Sequence, residues 1–386
     1  MVKDSKPKEN YQHDPKRRKL ARIYFKQKLI MGIGNNFVIP IIALSILYFS
    51  GALVYLANFA TQTAGTIGGI ILFVFLINII FTAITFPLSL YGSHYYEHKY
   101  KLSNQTLKQW FVDYAKNLGI GYVFSVPLES ITAYLVITTP NWWLIVTGIT
   151  ILFEIFINYI YPTVIFPITY KFKPYTDKKE LKVLLDICKN AGIKNLKRII
   201  VAIESEKSQK VNAWMGGIGK TKTMTLYDNL LNKFTKREVR TIIGHEAGHY
   251  AHNDTWKGIA LSGVISLVSL YSVDKVIRSV FSISSTQGIS LYLYPIISGA
   301  IVVLGFFIMP IQHTISRRVE MAADTFALEH VRDPLAQISS EKRLDDLDLG
   351  NDSPHPFIEF WFLTHPCSKR RIENVRNWMK ANNIKG

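Results

Sequence analysis

Polar and apolar positions along this chain are sorted into long blocks. Residues 29–96 contain no Asp, Glu, Lys or Arg, and such a run is far longer than the roughly 20 residues that cross a bilayer. It predicts two membrane-spanning helices, near 37–57 and 66–87, with the polar stretch Asn58 to Gly65 as the turn. From Asn117 to Tyr170 the only charges are Glu129 and Glu154, and Thr139-Pro140-Asn141 divides that stretch into a second pair of spans. A third pair is expected at about 256–273 and 289–310, separated by a linker carrying Asp274, Lys275 and Arg278. The expected architecture is mainly α, with about six transmembrane helices. Glu129 and Glu154 are costly inside spans unless they face a polar interior or are locally paired.

Between the second and third pairs the pattern changes. Asp177 to Ala191 places Leu181, Leu184, Leu185 and Ile187 on one face, an amphipathic helix. Strands are expected at Arg198 to Ile203, Val211 to Met215 and Thr221 to Tyr227, with a turn at Gly216 to Gly219. Thr235 with Glu238 forms a capping box opening the next helix. The segment therefore reads as a small α/β unit inserted into a membrane protein. The division expected is a basic tail over 1–36, a four-span domain over 37–170, and a unit over 171–386 that holds the last two spans.

The charge is 45 Lys and Arg against 28 Asp and Glu, a formal +17, in a chain that is 48% apolar. Ample apolar surface excludes intrinsic disorder. Ten Lys or Arg fall within residues 1–28, and Lys99, Lys101, Lys108 and Lys116 follow the second span. An even number of spans puts both termini on one side, and this bias makes that side cytoplasmic. The run Lys16-Arg17-Arg18-Lys19 reads as a topology determinant near anionic lipid rather than a nucleic-acid site. The first apolar stretch follows a long polar tail, so an uncleaved multi-pass protein is expected. Two cysteines, Cys188 and Cys367, make neither a disulfide framework nor a thiolate cluster.

The chemistry points to His245-Glu246-Ala247-Gly248-His249 on the Thr235-capped helix. Residues four apart stack on one helix face, so the two imidazoles suit two corners of a tetrahedral zinc site. Glu246 beside them can hold the attacking water and take its proton. A chain of this composition contains the pattern by chance only about 0.01 times. A metzincin continuation would need glycine at 252 and histidine at 255, where the chain has His252 and Thr255. The best third ligand is Glu320, in the helical run Arg317 to Asp324, with Asp324 one turn on to accept the outer N–H of a ligating histidine. Two spans separate His249 from Glu320, which returns the glutamate to the histidines' side of the membrane.

These residues resemble the type I CAAX prenyl protease family, integral-membrane zinc peptidases of the gluzincin kind. The likeness runs from about residue 66 onward. It includes Phe86-Pro87-Leu88-Ser89-Leu90-Tyr91, Glu97-His98-Lys99 leading to Ser103-Asn104-Gln105-Thr106, Asn212-Ala213-Trp214, Leu226-Tyr227-Asp228-Asn229, and His365-Pro366-Cys367-Ser368-Lys369-Arg370-Arg371-Ile372. The resemblance implies one zinc held by His245, His249 and Glu320, with Glu246 as base and Asp324 as a second acidic residue. It further implies that Asn212 and Ala213 pair an extended substrate, that His365 stabilises the oxyanion, that Arg371 braces the site, and that the helices form a barrel or chamber. Substrates would be peptides or proteins, including ones prenylated at the carboxyl terminus, with membrane lipids as partners and no nucleic acid. The membrane would be the plasma membrane in a prokaryote and the endoplasmic reticulum in a eukaryote. Departures are Cys367 for a second proline, Trp214 for tyrosine or phenylalanine, and six spans where seven are usual. The competing readings are a stress-response quality-control metalloprotease and, outside the enzymes, a transporter or scaffold with a structural zinc.

Overall fold

The computed structural model describes residues 7–193, 196 and 198–384. Among the described residues, six helical segments are long and apolar enough to cross a membrane: α1 (Pro15–Phe49), α2 (Ala52–Lys99), α3 (Leu107–Thr138), α4 (Trp142–Thr169), α8 (Asp254–Val280) and α9 (Leu291–Val331). Between α4 and α8 lie β1 (Phe172–Pro174), α5 (Lys178–Asn190), β2 (Ile199–Ala202), β3 (Ala213–Gly216), β4 (Thr223–Tyr227), α6 (Asp228–Lys233) and α7 (Lys236–Ala251). Three helices follow α9: α10 (Pro334–Asp348), α11 (Pro356–Phe362) and α12 (Ser368–Ala381). The membrane helices keep large apolar side chains exposed, among them Ile46, Phe49, Ile67, Val123, Leu152 and Phe307. A surface of this kind is stable only against lipid, where helices satisfy their own backbone.

The six spans stand, with shifted edges. The first chain reversal has two breaks, one at Ser50-Gly51 and one at Gly65, whose φ of 69° and ψ of −167° leave the helical region. A side chain on Gly69 would sit 2.6 Å from the Thr61 backbone, which shows how tightly α2 folds back on itself there. Asp274, Lys275 and Arg278, expected in a linker, lie within α8. Asp274 is buried and accepts from Trp142 Nε1 and Arg278 Nε, both at 2.8 Å, and Arg278 also donates to the Ser284 and Gln287 carbonyls. Pairing makes those charges tolerable at the end of a span. Glu154 accepts from Ser262 Oγ at 2.6 Å, a local pairing. Glu129 accepts from Asn78 at 2.8 Å and lines a cavity of about 200 Å³.

The expected tail also differs. Its first six residues lie outside the described ones, but Pro15–Ile33 is helical and runs through a π-helical turn at Gly34–Val38 into the rest of α1. The basic residues have an acidic counterpart on α10. Arg18 Nε donates to Asp346 Oδ1 at 2.6 Å, and Asp346 also accepts from the Tyr11 hydroxyl and the Asp14 backbone N–H. Arg18 and Asp346 are 8% and 0% exposed, so removing the cation strands a buried carboxylate. Arg18→Ala is expected to cost about 3–5 kcal/mol, read as a lowered thermal midpoint in detergent, while Lys19→Ala, at an exposed position, leaves the midpoint unchanged.

The inserted unit is a four-stranded sheet of order β1-β2-β4-β3. The strand β1 was not anticipated. It is three exposed residues, Phe172–Pro174, too short to show an alternating pattern. β2 and β4 pair in parallel, and β3 pairs antiparallel with β4 alone, so its outer edge is open. The apolar face of α5, including Leu184 and Cys188, packs with Met224, Leu226, Val239 and Ile243 into the unit's core. The Thr235–Glu238 capping box forms as expected and fixes where α7 begins. One cluster thereby sets α7 against the sheet.

Candidate metal and peptidase site

The helix α7 carries His245, Glu246 and His249, and α9 carries Glu320 and Asp324. Two glycines let these helices meet. A Cβ on Gly244 would lie 2.6 Å from Val331 Cγ2, and one on Gly248 would lie 3.1 Å from Ala323 Cα. The spacing of four puts both on the face of α7 turned to α9, so the backbones approach closely enough for the polar groups to converge.

One ligand atom from each of His245, His249 and Glu320 lies within 4.8 Å of the others. Glu320 Oε2 is 3.3 Å from His245 Nε2, Glu320 Oε1 is 3.6 Å from His249 Nε2, and the two imidazole Nε2 atoms are 3.1 Å apart. A tetrahedron with bonds of 2.0–2.1 Å has edges of about 3.4 Å, so the spacing fits a zinc-sized ion. Buried Glu320 Oε2 has no hydrogen-bond partner among the described residues. An orphan carboxylate oxygen beside two imidazoles is a donor set suited to a cation.

Each outer nitrogen is occupied. His245 Nδ1 is 2.9 Å from Asp324 Oδ1, and Arg371 clamps that carboxylate through Nε at 2.7 Å and through its Nη2. Arg371 Nη1 in turn meets Glu341 Oε2 at 2.9 Å. Glu341 was not singled out from the sequence, because α10 reaches the site only in the folded chain. Burial pushes its carboxyl up to about 7, although Arg371 pulls the other way. His249 Nδ1 lies 3.1 Å from Asp254 Oδ2, a second partner missed in the sequence. Burial alone would depress His245, but Asp324 and Glu320 outweigh it and hold the imidazole up at about 10. Such a site favours positive charge. Burial pushes Glu246 upward.

Glu246 shares one cavity with Ala213 of β3, which puts it at the sheet edge. Glu246, His245, Asn212, Ala213, His365 and Arg371 line one cavity of about 210 Å³. His249 and Asp254 line another of about 210 Å³ beside the Gly217 to Gly219 turn. The expected strand at Val211 to Met215 begins later, as β3 at Ala213, which leaves Asn212 just before it with its carbonyl accepting from Tyr227 N. His365 is largely exposed, and its Nε2 lies 3.2 Å from Glu320 Oε1. The structure thus brings all nine sequence-predicted residues to one edge of the sheet.

Residues 176–379 match peptidase family M48, and residues 3–171 match the CAAX prenyl protease N-terminal family, described as five membrane helices. The chain belongs to peptidase family M48. Membership makes it a metalloendopeptidase, and the amino-terminal family match with the six apolar helices makes it an integral, multi-pass membrane protein. An uncharacterised metalloprotease, YhfN of Bacillus subtilis, is 28% identical over 315 residues, covering 78% of this chain and 72% of that protein. The CAAX prenyl protease 1 homologue of Dictyostelium discoideum is 26% identical over 314 residues, covering 75% and 68%. The crystal structure of S. mikatae Ste24p superposes with a TM-score of 0.80 at 21% identity, covering 94% of this chain and 89% of that one. The M48 fold here is thus a helical membrane chamber with an inserted peptidase unit.

Proposed function

We propose that the chain is a zinc-dependent peptidase that cleaves proteins near a carboxyl terminus at the membrane surface, with prenylated CAAX-type substrates its preferred class. The observation that carries this is the convergence of His245, His249 and Glu320 beside Glu246 and an open strand edge. His245, His249 and Glu320 hold one zinc. Bound there, zinc supplies Lewis-acid polarisation of the scissile carbonyl and makes water acidic enough to attack at neutral pH.

The remaining steps belong to the chain's own groups. The open edge of β3 pairs with an extended substrate, its backbone groups fixing register, and Asn212 at the start of that edge orients the peptide. Glu246 takes the proton of the attacking water as the oxygen–carbon bond forms. It returns that proton to the nitrogen as the carbon–nitrogen bond breaks, and the second proton of the water passes from the new carboxyl to the freed amine, leaving a carboxylate and an ammonium. His365, at the cavity mouth, donates to the developing oxyanion. Asp324 accepts His245 Nδ1–H and fixes its tautomer, while Arg371 and Glu341 hold Asp324 in place.

The match of residues 3–171 to the CAAX prenyl protease amino-terminal family and the relatives of that name support the prenyl-protein branch over quality control. The Lys and Arg distribution supports cytoplasmic termini. The test is cleavage of a quenched farnesylated CAAX peptide and its unprenylated twin by the purified protein. Cleavage of the farnesylated peptide alone is expected. Equal cleavage of both would replace the substrate assignment with quality control, and no cleavage by zinc-loaded protein would overturn both.

A further inference from the structure

His245 and His249 are held by different parts of the molecule. The partner of His245 is Asp324, from within α9, 1% exposed and clamped by Arg371. The partner of His249 is Asp254, whose Oδ2 lies 3.1 Å from Nδ1. Asp254 is the first residue of the membrane helix α8. Its other oxygen meets Lys257 Nζ at 3.3 Å, a cation largely in solvent.

This contact depends on a break in the chain. On one continuous helix, residues five apart point about 140° away from each other, which would carry Asp254 to another face. Asn253, between α7 and α8, instead adopts φ 57° and ψ 36°, the left-handed conformation that Asn tolerates better than most residues. The chain turns there, and the first side chain of α8 swings back beneath the His249 ring.

We propose that Asp254 is a positioning residue for the metal, and that through it the seating of α8 in the membrane sets how His249 presents Nε2. The inference rests on the reading that His245, His249 and Glu320 hold zinc. A carboxylate accepting Nδ1–H fixes the tautomer with its lone pair on Nε2 and makes that nitrogen a stronger donor. Asp324 performs this from the interior, and Asp254 from the first turn of a membrane span. The metal therefore registers the placement of two membrane helices, one through each histidine. Because the ion-pair partner of Asp254 besides His249, among the described residues, is the largely exposed Lys257, the contribution of this carboxylate is also the more easily lost.

The test uses full-length protein in detergent, carrying Asp254→Ala and Asp254→Asn. Zinc affinity is measured by competition with a chromophoric chelator, and ligand geometry by the visible absorption of the cobalt-substituted protein. Asp254→Ala is expected to weaken zinc binding by about 10–100-fold and to change the cobalt band. Asp254→Asn, which keeps a neutral acceptor, falls between Ala and the unaltered chain. The thermal midpoint of each metal-free variant should match that of the metal-free parent. Unchanged zinc affinity with an unchanged cobalt band would overturn the proposal. A lowered metal-free midpoint with an unchanged cobalt band would also overturn it, by assigning Asp254 to anchoring α8. Parent protein that binds no zinc would remove the site reading itself, a distinct result visible before any variant is compared.

Discussion

Glu246→Gln is expected to abolish measurable peptide hydrolysis while leaving one zinc per chain. The glutamine is the same size and still presents a carbonyl acceptor in the cavity shared with β3, so the fold and the sheet edge survive. What it cannot do is take a proton. A positioned general base contributes about 10²–10⁴-fold, and Glu246 both accepts the water's proton and delivers it to the leaving nitrogen. The loss should appear in kcat, with substrate binding retained, because the β3 edge is untouched. Single-turnover cleavage with zinc content measured on the same sample checks it. Activity within tenfold of the parent would contradict the assignment of the base.

Glu320→Ala is expected to give the complementary result, in which catalysis is lost because zinc is lost. Glu320 is the one candidate ligand not on α7, and its two oxygens divide between the imidazoles, Oε2 at 3.3 Å from His245 Nε2 and Oε1 at 3.6 Å from His249 Nε2. Changes to the groups that merely orient ligands cost about 10–100-fold in metal affinity, so deletion of a ligand should exceed that range. Chelator competition should find the variant metal-free at zinc concentrations that saturate the parent. The two variants separate the roles: one keeps zinc without chemistry, the other keeps Glu246 without zinc. A Glu320→Ala protein still holding one zinc tightly would place the third ligand elsewhere.

Much of this site is visible in the sequence because its parts obey helical spacing. His245 and His249, and likewise Glu320 and Asp324, sit four apart, and the even number of spans between them brings the pairs to one side of the membrane. Asp254 and Glu341 carry no such mark. Asp254 reaches His249 only because Asn253 leaves the helical region, and Glu341 meets Arg371 through the packing of α10 beside α12. The first two spans were legible from charge-free length and the next two from a stretch carrying only Glu129 and Glu154 and broken at Thr139-Pro140-Asn141, whereas the edges were not. Asp274 and Arg278 look like linker residues until Trp142, 132 positions away from Asp274, is seen to satisfy the same carboxylate. The basic run at residues 16–19 follows the same logic. Its lysines suit a membrane surface, but Arg18 is committed to Asp346, a partner 328 residues distant that no local pattern announces.

Reconstitution shows whether one zinc per chain drives the cleavage. Purified protein is stripped of metal and titrated with zinc while peptide cleavage and bound zinc are followed together. Cleavage should be absent at the start, rise in proportion to bound zinc, and level off at one equivalent per chain. Cleavage that persists in the stripped protein, or one bound equivalent that restores none, would contradict the zinc-dependent reading.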